Sequence, residues 1–219
     1  MPFFREISGE GFRGGVWKIA ESWEELCGLL PREDYHRTHI LQCFRLEKRR
    51  LEYAAVRALL FTLTGEDREV LYHPSGRPYF SASSCHLSIS HTAGYVAVLL
   101  SQEGRAGVDI EACSSRVLRL KKHIAGAEEH EAEGMFALLL HWSAKETAFK
   151  ILDEEGIDFT RHLTVRNFSC TADEQFPDAQ GNFDLSYRLN EGRNGVFHIS
   201  YLTTLDFVLT YSVERRTGA

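Results

Sequence analysis

The sequence has no apolar run approaching the roughly 18–20 residues that a bilayer span requires. Its longest apolar stretch, 95–100, suits a buried strand instead. No C-x-x-C pair occurs, and the five cysteines (Cys27, Cys43, Cys85, Cys113, Cys170) are odd in number and scattered. That excludes a zinc ribbon or a disulfide framework as the organising feature and leaves ordinary reduced thiols. Net positive charge is also lacking: 25 Lys and Arg stand against 31 Asp and Glu, for a net charge of −6. Bulk nucleic-acid binding needs a broad basic surface, which this balance does not supply. Low-complexity segments, a strong internal repeat and a flexible linker are all missing. The opening Met-Pro-Phe-Phe-Arg-Glu lacks the basic segment and apolar stretch of a secretion signal, so a cytoplasmic protein is expected.

What is present is enough for a sizeable core: 219 residues with 43% hydrophobic content, as one domain or two. Basic residues cluster at 45–50 and 116–122, and a local basic patch on an acidic protein can bind a small polyanion. A short strand is expected at 16–19. Ser22, with Glu25 three residues on, marks a helix start, and Pro31 its close. A longer helix is expected over 45–63, with Gly65 as its stop. The turn-rich stretch 72–78 precedes two strands, around 87–89 and 95–100, joined at Thr92-Ala-Gly94. A further strand covers 107–111, helices follow at 116–124 and 128–152, and three or four strands come after 163. The order implies an α+β fold, with an N-terminal part, 1–104, and a C-terminal part, 105–219.

Two stretches carry chemistry. In Val108-Asp109-Ile110-Glu111, alternation along a strand sends Asp109 and Glu111 to the same face. Two carboxylates so placed repel unless a cation or strong donors lie between them, and hard oxygen ligands suit Mg²⁺. A strand with a polar, half-exposed outer face is the other reading. In His141-Trp-Ser-Ala-Lys-Glu-Thr-Ala-Phe-Lys150, helical spacing puts Leu139, Trp142, Glu146, Phe149 and Lys150 on one broad face. Ala144, Ala148 and Ile151 fall opposite. Both sides are largely apolar, so Glu146 is expected among hydrophobic neighbours, where a carboxylate needs a partner or a metal. A Glu146–Lys150 pair along the helix is the plainer alternative. The acidic run 128–133 reads as a solvated helix start. Spacing finds no third ligand for His36 and His39.

Gly107-Val-Asp-Ile-Glu111 followed by Trp142-Ser-Ala-Lys-Glu-Thr-Ala-Phe-Lys150 resembles the paired signatures of the 4′-phosphopantetheinyl transferases, G-x-D-x-E and W-[ST]-x-K-E-[AST]-x-x-K. Upstream, Ser88-Ile-Ser-His-Thr92 resembles the family's S-x-S-H-[ST] segment, and Gly76-Arg-Pro78 its G-[KR]-P turn. The helix bearing Arg49, Arg50 and Arg57 resembles its arginine-containing N-terminal helix. The likeness spans about 45–152. Between the signatures, 122–129 carries no phenylalanine where the family often has an R-F-F-type segment. The length matches the larger, pseudo-dimeric (Sfp-type) class, which implies two similar α/β subdomains about a pseudo-twofold with the active site between them, and a monomer.

The resemblance implies an enzyme that moves phosphopantetheine from coenzyme A to a serine of an apo-acyl or peptidyl carrier protein, releasing adenosine 3′,5′-bisphosphate. It also implies Mg²⁺ (or Mn²⁺) on Asp109, Glu111 and Glu146, with Glu146 as base and Lys150 on a phosphate oxygen. The nucleotide falls to Arg57, Arg77, Ser90 and His91, and to Arg50 as a weaker alternative to Arg57. Two other functions use the same residues: coenzyme A or carrier binding without transfer, and Mg²⁺-dependent phosphoester hydrolysis. Neither nucleic acid nor membrane is an expected partner.

Overall fold

The computed structural model describes residues 3–189 and 192–214, and the chain divides into two compact units between Gln102 and Glu103. The first unit opens with strands β1 (Phe3–Gly9) and β2 (Phe12–Lys18). Helices α1 (Trp23–Cys27), α2 (Glu33–Cys43) and α3 (Glu47–Thr64) follow. Strands β3 (Val70–Tyr72), β4 (Pro78–Phe80), β5 (His86–Thr92) and β6 (Tyr95–Ser101) complete it. They form one antiparallel sheet in the order β1-β2-β6-β5-β4-β3. The second unit runs from β7 (Ala106–Ala112) through a 3₁₀ segment (Ser115–Leu120) to α4 (Lys121–Ile124) and α5 (Gly134–Leu152). Strands β8 (Leu163–Arg166), β9 (Ala179–Arg188), β10 (Asn194–Thr203) and β11 (Phe207–Val213) follow, in sheet order β7-β11-β10-β9-β8. The class is α+β, as the element order implied.

Local signals account for the ends of several elements. Ser22 Oγ accepts the Glu25 N–H at 3.2 Å while the Glu25 carboxylate accepts the Ser22 N–H at 2.8 Å, a reciprocal cap for α1. Gly28, not Pro31, ends that helix. Gly65 adopts φ +72 beyond α3 and donates its N–H to Phe61 O, satisfying an end carbonyl that a β-carbon would make costly to reach.

The two units share one plan. In each, a strand leads through helices to a four-strand meander whose last strand returns beside the first: β2 to β6, and β7 to β11. The long helix packs on that returning pair, α3 on β2 and β6, α5 on β7 and β11. Apolar burial holds each helix down, with Ala54, Ala55 and Leu59 at 0% exposure in α3 and Leu140, Ala144 and Ala148 at 0% in α5. Each fully buried leucine contributes about 1.5–3 kcal/mol.

A short sequence echo marks the shared plan, Arg13-Gly-Gly-Val16 and Arg105-Ala-Gly-Val108. Arg13 Nη1 donates to Leu63 O at 2.9 Å, near the end of α3. Arg105 Nη1 donates to Ile151 O and Leu152 O at 3.2 and 3.0 Å, at the end of α5. In both cases a cation at the root of the strand satisfies the last carbonyls of the helix, where the helix dipole favours it. The echo is only four residues long, too short to count as the strong internal repeat that the sequence lacks, so the shared plan is carried by the fold rather than by sequence similarity.

The helix expected over 128–152 starts only at Gly134 (φ +79), and 116–124 is 3₁₀ before it is α. The physical reason is Glu129. Its carboxylate is buried and accepts the N–H groups of Gly126 (2.6 Å) and Val165 (2.8 Å), which pins 126–129 as a loop rather than a helical turn. The acidic run is therefore not simply a solvated helix start. Among the described residues no helix is long and apolar enough to cross a membrane.

Candidate functional site

The face of β7 that carries Gly107, Asp109 and Glu111 is the one covered by α5. Gly107 makes the approach possible: a β-carbon there would lie 2.3 Å from Thr147 O and 2.9 Å from Ile151 Cγ1. Gly107→Ala is accordingly expected to lower the unfolding free energy by about 1–3 kcal/mol in chemical denaturation, through overpacking between helix and strand. Three buried hydroxyls then lock the helix in register. Thr210 Oγ1 on β11 shares hydrogen bonds with Ser143 Oγ (2.9 Å) and Thr147 Oγ1 (2.7 Å), and Ser143 Oγ donates to Asp109 O at 3.3 Å.

This packing brings both signature stretches together. Lys150 Nζ donates to Asp109 Oδ1 at 2.8 Å and to Val108 O at 2.9 Å, so its ammonium is turned to the strand, not along the helix. Trp142 Nε1 donates to Glu111 Oε1 at 2.8 Å. Asp109 is buried, and Glu111 and Glu146 are half-buried. Burial, then the charge of Asp109, raises the proton affinity of Glu111 despite the Trp142 hydrogen bond. Glu146 is pushed up to about 7, first by burial and next by Asp109, with Lys150 opposing and Glu111 adding to the rise. The half-exposed outer strand is thus not what β7 provides: its carboxylates face the helix.

A field that raises carboxyl proton affinities also favours a bound cation, and the donors are hard oxygens. The donor chemistry fits a divalent cation. The rotamers present do not close around one: among the described residues, no group of three or more His, Cys, Asp and Glu side chains is arranged to hold a metal ion.

The residues nominated for the nucleotide lie in the first unit. Arg57 on α3 is 7% exposed, and its guanidinium stacks 4.7 Å from the Tyr53 ring centre. His91, at the end of β5, has a 40% exposed side chain with Nδ1 3.5 Å from Glu52 Oε1. Arg77, in the β3–β4 turn, has Nη2 3.4 Å from His73 Nε2, which lies against Tyr79 at 4.3 Å between ring centres. Alternation along β5 places Ser90 on the opposite face from His91. Arg50 donates to Phe44 O at 2.9 Å and lies over Trp23, which makes it a brace for the start of α3.

Several supporting residues escaped the sequence reading. Lys145 and Glu129 form a fully buried ion pair at 2.6 Å, and Lys145 also donates to Ile124 O at 2.7 Å. The adjacent Lys-Glu of the signature was a visible sign for Lys145, but nothing local tied it to Glu129. Trp142 was placed on the correct helix face without its partner. His141 is buried, with Nδ1 2.8 Å from Ala137 O, and is structural. A cleft of about 510 Å³ beside the start of α5, lined in part by Glu131, Met135, Phe168 and Cys170, shares no residue with the carboxylate cluster.

Comparison with known proteins bears on this geometry. No family model matches the chain. The 4′-phosphopantetheinyl transferase AcpT of Salmonella typhimurium is 31% identical over 112 residues, 47% of this chain and 58% of that protein. The protein of the same name from Salmonella typhi matches with the same identity and coverage, 31% over 112 residues. Over about half of its length the chain is similar to these 4′-phosphopantetheinyl transferases. It spans a little over half the length of these transferase relatives, 58% in each case. Asp109, Glu111, Glu146 and Lys150 are the residues through which the likeness to the transferase signatures acquires a geometry.

Proposed function

We propose that the protein transfers the 4′-phosphopantetheine group of coenzyme A to a serine hydroxyl of an apo-carrier protein and releases adenosine 3′,5′-bisphosphate. The observation that carries this reading is the apposition of Asp109, Glu111, Glu146 and Lys150 across β7 and α5. Asp109, Glu111 and Glu146 would hold Mg²⁺, or Mn²⁺, and a bound cation supplies neutralisation of pyrophosphate charge. Glu146 takes the proton of the serine hydroxyl; a carboxyl with raised proton affinity is well matched to that task near neutral pH. The serine oxygen forms a bond to the phosphorus that carries pantetheine, and the pyrophosphate P–O bond to the nucleotide breaks. Lys150 has three N–H donors, of which Val108 O and Asp109 Oδ1 take two. The third serves a phosphate oxygen as charge passes to the leaving group. Arg57, Arg77 and His91 hold the phosphates of the nucleotide, for which arginine forks are suited.

The test is intact-mass analysis of an apo-acyl-carrier protein incubated with this protein, coenzyme A and Mg²⁺, with and without chelator. A gain of one phosphopantetheine group that chelator abolishes is the expected result. No gain with any carrier type despite coenzyme A binding would leave a binding protein. Turnover of coenzyme A without an acceptor would make it a hydrolase.

A further inference from the structure

Glu52 sits on α3 among the cations nominated for the nucleotide, with only 6% of its surface exposed. For a phosphate site it is a buried charge of the wrong sign. Its two oxygens are served unequally. Oε2 accepts Arg49 Nη1 at 2.7 Å. Oε1 is buried and, among the described residues, receives no hydrogen bond. The cationic groups recorded beside Oε1 are His91 Nδ1 at 3.5 Å and Lys48 Nζ at 3.7 Å. A shift of a few tenths of an ångström would bring His91 within hydrogen-bond range. Further along α3, Arg57 Nη1 is likewise buried without a hydrogen-bond partner among the described residues. One helix therefore buries an acceptor and a donor that the described residues leave unsatisfied, and such groups mark a place where something else completes the network.

We propose that Glu52 is a positioning residue for the nucleotide phosphates: it anchors His91 through Nδ1 and Arg49 through Nη1, fixing the cations that meet the anion. A ring anchored through Nδ1 has Nε2 left to donate to a phosphate oxygen, the division of labour by which a carboxylate orients a histidine. Arg57 Nη1 supplies a second donor. This role rests on the reading that the first unit binds the nucleotide of coenzyme A.

Coulomb attraction alone predicts the opposite outcome from positioning, which makes the role testable. Removing a negative charge beside a polyanion site should tighten the polyanion. Positioning requires that it weaken. Titration calorimetry of the full chain with adenosine 3′,5′-bisphosphate is expected to show Glu52→Gln binding about tenfold more weakly than wild type. In a His91→Ala background the same substitution should have a smaller effect, because the part of its role that runs through His91 is already gone and only the Arg49 anchor is left to lose. Glu52→Asp, which keeps the charge but shortens the reach, should also weaken binding at an unchanged melting temperature. Equal or tighter binding by Glu52→Gln, an undiminished effect in the His91→Ala background, or wild-type affinity in Glu52→Asp would each overturn the role. Failure of the wild-type protein to bind the nucleotide would instead overturn the nucleotide reading itself, and this role with it.

Discussion

Glu146→Gln is expected to lower transfer by on the order of 10³-fold while leaving the metal-free protein as stable as wild type or more so. The two effects have opposite signs because the carboxyl is costly to the fold and, in the proposed reaction, useful to the chemistry. Folding raises its pKa from an ordinary 4.5 to about 7, through burial and the neighbouring Asp109 charge. Stability linked to such a group is fully present below the unfolded value, where it is protonated in both states, and is lost as pH rises through about 7. Glutamine keeps the shape and never ionises. In chelator, denaturant titrations should therefore find the variant and wild type close at about pH 5, with the variant gaining ground at about pH 8. Activity should show the reverse, since glutamine neither accepts the serine proton nor offers a charged ligand. Near-normal turnover in the mass assay would remove Glu146 from the chemistry. A variant markedly less stable at the higher pH would show that the ionised carboxylate is held by the fold instead.

The carboxylate cluster was legible in the sequence because each part obeys a short-range rule. Alternation along 107–111 put Asp109 and Glu111 together, and helical spacing over 142–150 put Trp142, Glu146 and Lys150 on one side. The structure brings Asp109 to Lys150 and Glu111 to Trp142. Pairing across the helix and strand was beyond either rule. Glu146–Lys150 was the natural sequence guess, yet Lys150 reaches Asp109, forty-one positions away. Local caps such as Ser22 with Glu25, and Gly65, were also readable, since their partners lie within a turn.

What could not be read depends on distant partners. β1 pairs with β2 and widens the first sheet, yet its alternation is too irregular to signal a strand. The Arg13 and Arg105 devices become comparable only once each helix end lies above its strand. They also show why the carboxylate cluster is confined to one copy of the plan. Trp17 follows Val16 as Asp109 follows Val108, so a core aromatic in the first unit stands where a carboxylate stands in the second. Glu129 was misjudged for the same reason. In an acidic run with three other glutamates, composition favours solvent, and only the fold puts it against Lys145 and the Val165 N–H.

That pair carries the largest expected effect on stability. Lys145→Met should lower the unfolding free energy by about 3–5 kcal/mol, the loss typical when one partner of a buried ion pair is removed. Both side chains are 0% exposed, so no solvent can take over the orphaned charge. Burial lowers the proton affinity of Lys145, and the Glu129 carboxylate works against that, so the ammonium depends on its partner to stay charged. In the variant, Glu129 would keep the N–H groups of Gly126 and Val165 but lose its counter-charge, and Ile124 O would lose its donor. The double variant Lys145→Met/Glu129→Gln should be more stable than Lys145→Met alone, since it removes the orphaned charge while keeping one carbonyl oxygen for one of the two backbone donors, which bond different oxygens of Glu129. Denaturant titration of the four proteins in the cycle measures this directly. A loss below about 1 kcal/mol in Lys145→Met would mean that the pair is dispensable to the fold. A double variant no better than the single one would mean that the damage lies in lost packing around Ile124 rather than in the stranded carboxylate. The cycle matters for the site as well, because Lys145 is the neighbour of Glu146. The pair fastens the 121–133 segment to the helix turn from which Glu146 projects, so loosening it should blur the placement of Glu146 as well as the fold.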